Sequence, residues 1–505
     1  NYNVVVGDEA GTAITTGDNN VAVGYQAGDA LTTGGRHTLM GYASGSALID
    51  PDRNVAFGYG SLQTDTKGAK STAVGYSALN TQNFTSATDS FNTAVGYTAG
   101  ESVTTGTSNT LLGGLAGDAT TTGSFNTAVG YSSLGANTTA SYNTAVGHLA
   151  ALTNTTGSGL VAIGNRSLQE NTTGGSNVAA GSNSLRNNTT ASGNTAFGGE
   201  SLRANTTGAN NVGIGLSALN VNTTASQNTA VGMSALLSNT TGANNTATGT
   251  YAMRANTTGA QNTAFGTESL KETTTGENNT CTGYSALIAN TTGIQNHGFG
   301  VQAGGSITSG DNNVCVGYQA GHYGTPITTG SENVMLGNYC KPSAEAGDFQ
   351  FAAGFNVACT GDNNFTFGNA ATDSNIAFGA TTITAPSDER YKEEIETSTA
   401  GLAFIKDLRP VTFKWKKEKD VPSGHDAYVE GSDTRVMNSS GETNHGFIAQ
   451  EVKAAIDNHS ELKDGFDMWS EQGSDGRQRL GPSSLIPMLV KAIQELEARI
   501  VTLEG

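Results

Sequence analysis

Along the first 356 residues the apolar positions are sparse and evenly placed. A segment of the form Asn-(Thr/Val)-Ala-(Val/Phe/Ile)-Gly returns with its glycine at Gly7, Gly24, Gly41, Gly58 and Gly75. After a four-residue insertion it resumes at Gly96 and advances in steps of 17 to Gly317; a three-residue insertion moves it to Gly337, and one more step reaches Gly354. A Leu or Met stands four residues after many of these glycines, as at Leu134, Leu168, Leu236 and Met253. Asn-Thr-Thr-(Gly/Ala) follows, as in Asn205–Gly208, and has turn chemistry: Asn and Gly tolerate positive φ, and Asn can bond its own backbone. Short strands joined by turns bury no face alone, whereas stacked coils pair their backbones with the coils above and below. The pattern predicts a mainly β fold, a β-solenoid or β-roll with a 17-residue repeat over residues 1–356. Some twenty coils at about 4.8 Å each make a rod roughly 100 Å long.

Beyond Gly354 the similar glycines, Gly368 and Gly379, come at steps of 14 and 11, which predicts a tapering cap and linker over 357–386. At Ala385-Pro386-Ser387 the pattern changes to that of a small α/β domain, 387–505. Ile395 to Leu408 has helical spacing, Val411–Trp415 alternates as a strand, and Gly446–Val452 leads into a short helix towards Ile456. Leu485, Leu489, Ile493, Leu496, Ile500 and Leu503 fall in steps of four and three, a short coiled-coil seam within 485–505. Such a seam is marginal alone and predicts an oligomer.

Composition narrows the partners. The formal net charge is -18, and 15 of the 25 basic residues lie after Pro386, which argues against a nucleic-acid partner. Four cysteines, Cys281, Cys315, Cys340 and Cys359, show no paired spacing, so no metal, cofactor or disulfide framework is expected. Cys281 and Cys315 take the small-residue slot two before the glycine and read as buried substitutes for Ala. No apolar run reaches the roughly 18 residues of a membrane span, so no membrane insertion is expected. The chain opens at Asn1, not Met, which leads us to expect a fragment or processed product lacking an N-terminal attachment domain. The Asn-Thr-Thr phrases match the glycosylation acceptor, as at Asn137, Asn154, Asn188 and Asn239, but turn chemistry explains the same residues.

Two resemblances add to this reading. Asn143-Thr-Ala-Val-Gly147 and Asn313-Val-Cys-Val-Gly317 resemble the head repeats of trimeric autotransporter adhesins, which implies a homotrimer. Ser387-Asp-Glu-Arg-Tyr-Lys392, Leu408–Lys416, His445–Glu451 and Leu485–Leu496, in this order, resemble the C-terminal intramolecular chaperone autoprotease domain of phage tail fibres and endosialidases. That likeness implies a domain that trimerises, helps fold the fibre before it, and cuts the chain at Pro386–Ser387 in a single-turnover step. The implied catalytic residues are Ser387 as nucleophile and Lys392 as base, with assistance from His445 and Glu451. Serine needs a base to take its proton, and lysine serves once its pKa is lowered. Taken alone, Ser387 is equally a helix N-cap ahead of a solvent-facing lysine. The leading expectation is a phage tail or side fibre in a virion, with a host surface receptor, a glycan, as its target and other tail proteins as partners. The alternatives are a bacterial surface adhesin and a fibre with polysaccharide-degrading activity.

Overall fold

Three-residue strands set one coil apart stack into a single long sheet in the computed structural model, which describes residues 2–370, 372–380, 383, 389, 392–425, 427–437, 441–462, 466, 468–472 and 477–504. The chain divides into two units, Asn1–Pro386 and Ser387–Gly505.

The first unit is a β-solenoid of about 22 coils. The coil 228–244 shows how it is built. Its strand Thr229–Val231 pairs in parallel with the next, Thr229 opposite Thr246 and Ala230 opposite Ala247. Backbone donors then bond to both neighbouring coils. Gly232 and Ser234 donate back to the carbonyls of Ile214 and Leu216, at 2.8 and 2.9 Å, whereas Leu236 and Ser238 donate forward to Ala252 and Arg254, at 3.0 and 3.1 Å. Ala230, Ala235 and Leu236 fill the interior. Cys281 and Cys315 occupy the same middle-of-strand slot as Ala230 and are fully buried, and desolvation pushes both thiols up to about 12.

The backbone reaches this shape by a route that differs from the expected turn. Asn205 and Gly208 do not take positive φ; the non-glycine residues of their coil that do are Glu200, Leu202 and Asn210. The turn asparagine bonds its own backbone, as expected, and also the coil before it. Asn239 Nδ2 donates to Asn222 Oδ1 at 2.9 Å and to Gly242 O at 2.9 Å, and Asn256 Nδ2 donates to Asn239 Oδ1 at 2.8 Å. This amide ladder runs unbroken from Asn137 to Asn256. A second ladder uses the asparagine ahead of each strand: Asn228 Oδ1 accepts from the Asn245 backbone at 2.9 Å. Asn137, Asn154, Asn188 and Asn239 are therefore fully buried, and folded coils offer no amide to a glycosylating enzyme. The glycine ending each strand is obligatory: Gly232 has φ 134°, and a Cβ there would lie 2.6 Å from the Gly249 carbonyl.

The taper keeps one shortened coil, at the step of 14, and then leaves the coil pattern. The strand Gln350–Phe355 pairs in parallel with Asn364–Asn369, Gly354 opposite Gly368. Thr372–Ala377 then runs antiparallel to Asn364–Asn369, so Gly379 belongs to no coil. An antiparallel strand takes up the open edge that a further coil would otherwise need.

The second unit contains helix α1 (Leu402–Asp407), the antiparallel strands Val411–Phe413 and Asn444–Gly446, helix α2 (Ala449–Asn458), the hairpin Trp469–Gln472 with Arg477–Leu480, and helix α3 (Leu485–Glu504). Phe404, Val452, Ile456, Met468, Leu485 and Met488 form its core. The helix expected from Ile395 begins only at Leu402, after Gly401, and Ile395 is exposed. Thr397, Ser398 and Thr399 favour local side-chain bonds over helix, and Gly401 penalises it.

Candidate chaperone and cleavage site

The candidate residues of the second unit lie at element ends, where short connections fix them. Val411–Phe413 pairs with Asn444–Gly446, which sets His445 opposite Thr412 on the exposed side. Two residues, Phe447 and Ile448, turn that strand into α2, so Glu451 stands in the helix's first turn, where a carboxylate suits the N-terminal dipole. Arg409 grips it from the chain just ahead of Val411. Its Nε donates to Glu451 Oε2 at 2.9 Å, and its Nη2 bonds Oε1. Both charges are exposed, so the pair fixes geometry more than it adds stability. The Arg409 hydrogen bonds hold the Glu451 carboxyl below its usual range, and the same pair raises Arg409. Among the described residues no hydrogen bond joins His445 to Glu451.

Pro386 and Ser387 lie outside the described residues, so the dyad itself has no described geometry. Lys392 is exposed, and its backbone N–H donates to Glu389 O at 3.0 Å.

Sequence reasoning missed two arrangements. Arg409 sits in a quoted motif, but its partner is 42 residues away, beyond any local spacing rule. His459, just past α2, is clamped between Asp407 Oδ2 at 2.9 Å and Glu461 Oε1 at 3.0 Å and meets the Phe404 ring edge-on at 5.5 Å. The Asp407 hydrogen bond, then Glu461, raises its pKa. The clamp ties the end of α1 to the end of α2.

Helix α3 is two-faced. Leu485, Met488 and Ala492 are buried, and Glu495 Oε2 accepts the Leu402 N–H at 2.9 Å, capping α1. Leu485, expected in the seam, thus belongs to the domain's own core. The remaining seam residues, Leu489, Ile493, Leu496, Ile500 and Leu503, are exposed, as are Ile486, Val490 and Val501. A contiguous apolar stripe of this kind on an exposed helix face is of the type that marks an interaction surface.

The histidines of the first unit are scattered: His37 is buried, His148 stacks on Tyr131 at 5.7 Å, His297 opens a strand, and His322 meets Ser306 Oγ at 2.8 Å. Among the described residues no three His, Cys, Asp or Glu side chains are grouped to hold a metal, and no helix is long and apolar enough to cross a membrane.

Residues 387–461 match the model of the family described as chaperone of endosialidase. Neither a curated protein nor a solved structure matches the chain. The matched stretch contains Lys392, Arg409, His445 and Glu451 and ends before α3. A chaperone-of-endosialidase segment behind a long solenoid of 17-residue coils fits a tail fibre of the endosialidase type.

Proposed function

We propose that this chain is the shaft and C-terminal chaperone of a homotrimeric phage tail fibre, made in the host cytoplasm, carried on the virion and used for attachment to a host surface glycan. The observation that carries the reading is the family match at 387–461, placed directly after a solenoid whose repeat invites misregistration. Coils that look alike can pair one step out of place at little cost, and non-local pairing is slow and prone to aggregate. A domain that gathers three chains first sets one end of the register, and the exposed stripe of α3 is the surface by which it would do so.

The same reading makes the chaperone temporary. Ser387 Oγ attacks the Pro386 carbonyl carbon while Lys392 Nζ takes the hydroxyl proton. The Pro386–Ser387 C–N bond breaks, the proton passes to the freed Ser387 amine, and an ester links the two residues. Water then hydrolyses the ester, leaving a shaft that ends in the Pro386 carboxylate and a fragment that starts at Ser387. A lysine acts as base once burial strips water from its ammonium. Lys392 is exposed in the single chain, so we place the cut after copies have assembled around it.

The test is the intact mass of the chain beside Ser387→Ala, with sedimentation of both. Wild type split after Pro386, the variant whole, and both threefold in mass is the expected result. Two whole chains of threefold mass would leave a permanent folding cap and remove the protease. Single chains would remove the fibre reading altogether.

A further inference from the structure

We infer that the strand face of the solenoid is where copies of this chain lie against one another along the shaft; this rests on the reading that the chain assembles with itself. In the twenty three-residue coil strands from Val4–Val6 to Val334–Leu336, the first and third residues point outward, and the middle one is buried in all but the first. None of those forty outward positions holds Asp, Glu, Lys or Arg. The third position is apolar in every strand except at Thr248 and Thr282; it is exposed in eleven of the twenty strands, 50% at Phe57, 44% at Ile163, 44% at Phe265 and 47% at Leu336, and partly buried in the other nine.

In about half of the coils the residue after the glycine widens the band. Tyr25, Tyr42, Tyr59, Tyr76 and Tyr97 stack in sequence with centroids 5.3, 4.8, 5.2 and 5.3 Å apart, and Tyr131, Leu216, Met233, Tyr284 and Tyr318 add to it further along, between coils that carry small or polar residues there. Apart from Asp8, directly after Gly7, the coils carry their charge further round: Arg166, Glu200 and Glu268 stand two residues past the glycine, and Arg186, Arg203 and Lys271 five past it. Summed over the exposed residues of the band, about half-exposed side chains of up to roughly 150–250 Å² each give on the order of 1,500 Å² per chain. A standard stable interface takes roughly 800 Å² per partner, and the largest apolar patch of an ordinary monomer is roughly 300–600 Å².

Periodicity selects the occupant. The band repeats once per coil, at one strand spacing, over the whole run. A partner that meets it along that length needs the same rise, and a second shaft has it. A glycan is a poorer fit, because the stacked tyrosines cover one another's faces and leave mainly edges to a sugar.

Maleimide labelling of Ile163→Cys, Val146→Cys and Phe265→Cys, each in the full chain, tests this against Thr241→Cys in the exposed turn. The native cysteines are buried and give a silent background. In chains that sediment as an oligomer, each strand-face thiol should label at least tenfold more slowly than the turn thiol, and equally fast once urea separates the chains. Equal labelling within an intact oligomer overturns the strand face as the interface and leaves self-assembly standing. Protection that appears only when host polysaccharide is added also overturns it, in favour of a receptor surface. Chains that sediment singly remove both the interface and the assembly it rests on.

Discussion

Thr273 interrupts the interior amide ladder, and Asn256 Oδ1 and Thr273 Oγ1 are buried with no partner; Ile307 ends it in the same way for Asn290 Oδ1. An amide at 273 gives Asn256 Oδ1 a donor and Asn290 Nδ2 an acceptor. Thr273→Asn should therefore stabilise the surrounding coils by about 1 kcal/mol, read as slower amide hydrogen exchange on either side. Asn205→Leu is the converse. It removes bonds to Asn188 Oδ1 and Gly208 O and the acceptor of Asn222 Nδ2, and should cost about 3 kcal/mol. His37 replaces a ladder asparagine. Its Nδ1 accepts the Asn54 N–H at 3.2 Å and its Nε2 lies 2.7 Å from Pro51 O, an arrangement for the neutral ring. Burial lowers its pKa, so the unfolded chain binds the proton more readily. The shaft should lose stability as pH falls below about 6.5, and His37→Asn should flatten that slope in melting curves. The repeat and its spacing were readable from sequence, because every coil states the same pattern. The left-handed Ser234 and Leu236 were not, because neither residue type favours that conformation. The bonds each coil makes with both neighbours impose it.

At the scale of elements, α3 divides its apolar residues between two tasks that a heptad count merges. Leu485 fits the seam by spacing and the core by position, and only the packing of α1 against α3 separates the two. The Arg409–Glu451 and Asp407–His459 pairs escaped sequence reasoning for the same reason: they join elements that fold, not spacing, brings near. The His459 clamp gives the second unit a pH response opposite to that of His37. Its pKa is raised, so its contribution is fully present below about 6.5 and is lost as pH rises through the raised value. Melting of the 387–505 unit should weaken from pH 6 towards pH 8, and His459→Gln should remove that trend. A melt of the variant that keeps the wild-type slope would show that the clamp does not act through the imidazole charge.

For the whole molecule, charge opposes the proposed assembly. Each copy brings a net charge of -18, so the three copies of the proposed trimer would repel at low ionic strength. Screening over a Debye length of roughly 10 Å relieves this, and the oligomer should dissociate less readily in 0.15 M salt than in 0.01 M, measured by sedimentation on dilution. A salt-weakened oligomer would point to ion pairs at the interface in place of the uncharged strand face. The parallel ladder also has a mechanical side. Each coil is bonded only to the coils before and after it, so a pull along the shaft loads the coils in series. A coil that gives way exchanges a rise of about 4.8 Å for 17 residues of extended chain, roughly 58 Å. Stretched between two anchors, a single chain should lengthen in steps of about 50 Å at nearly constant force. It would act as a ratcheted tether that yields coil by coil and absorbs a tug before its ends let go.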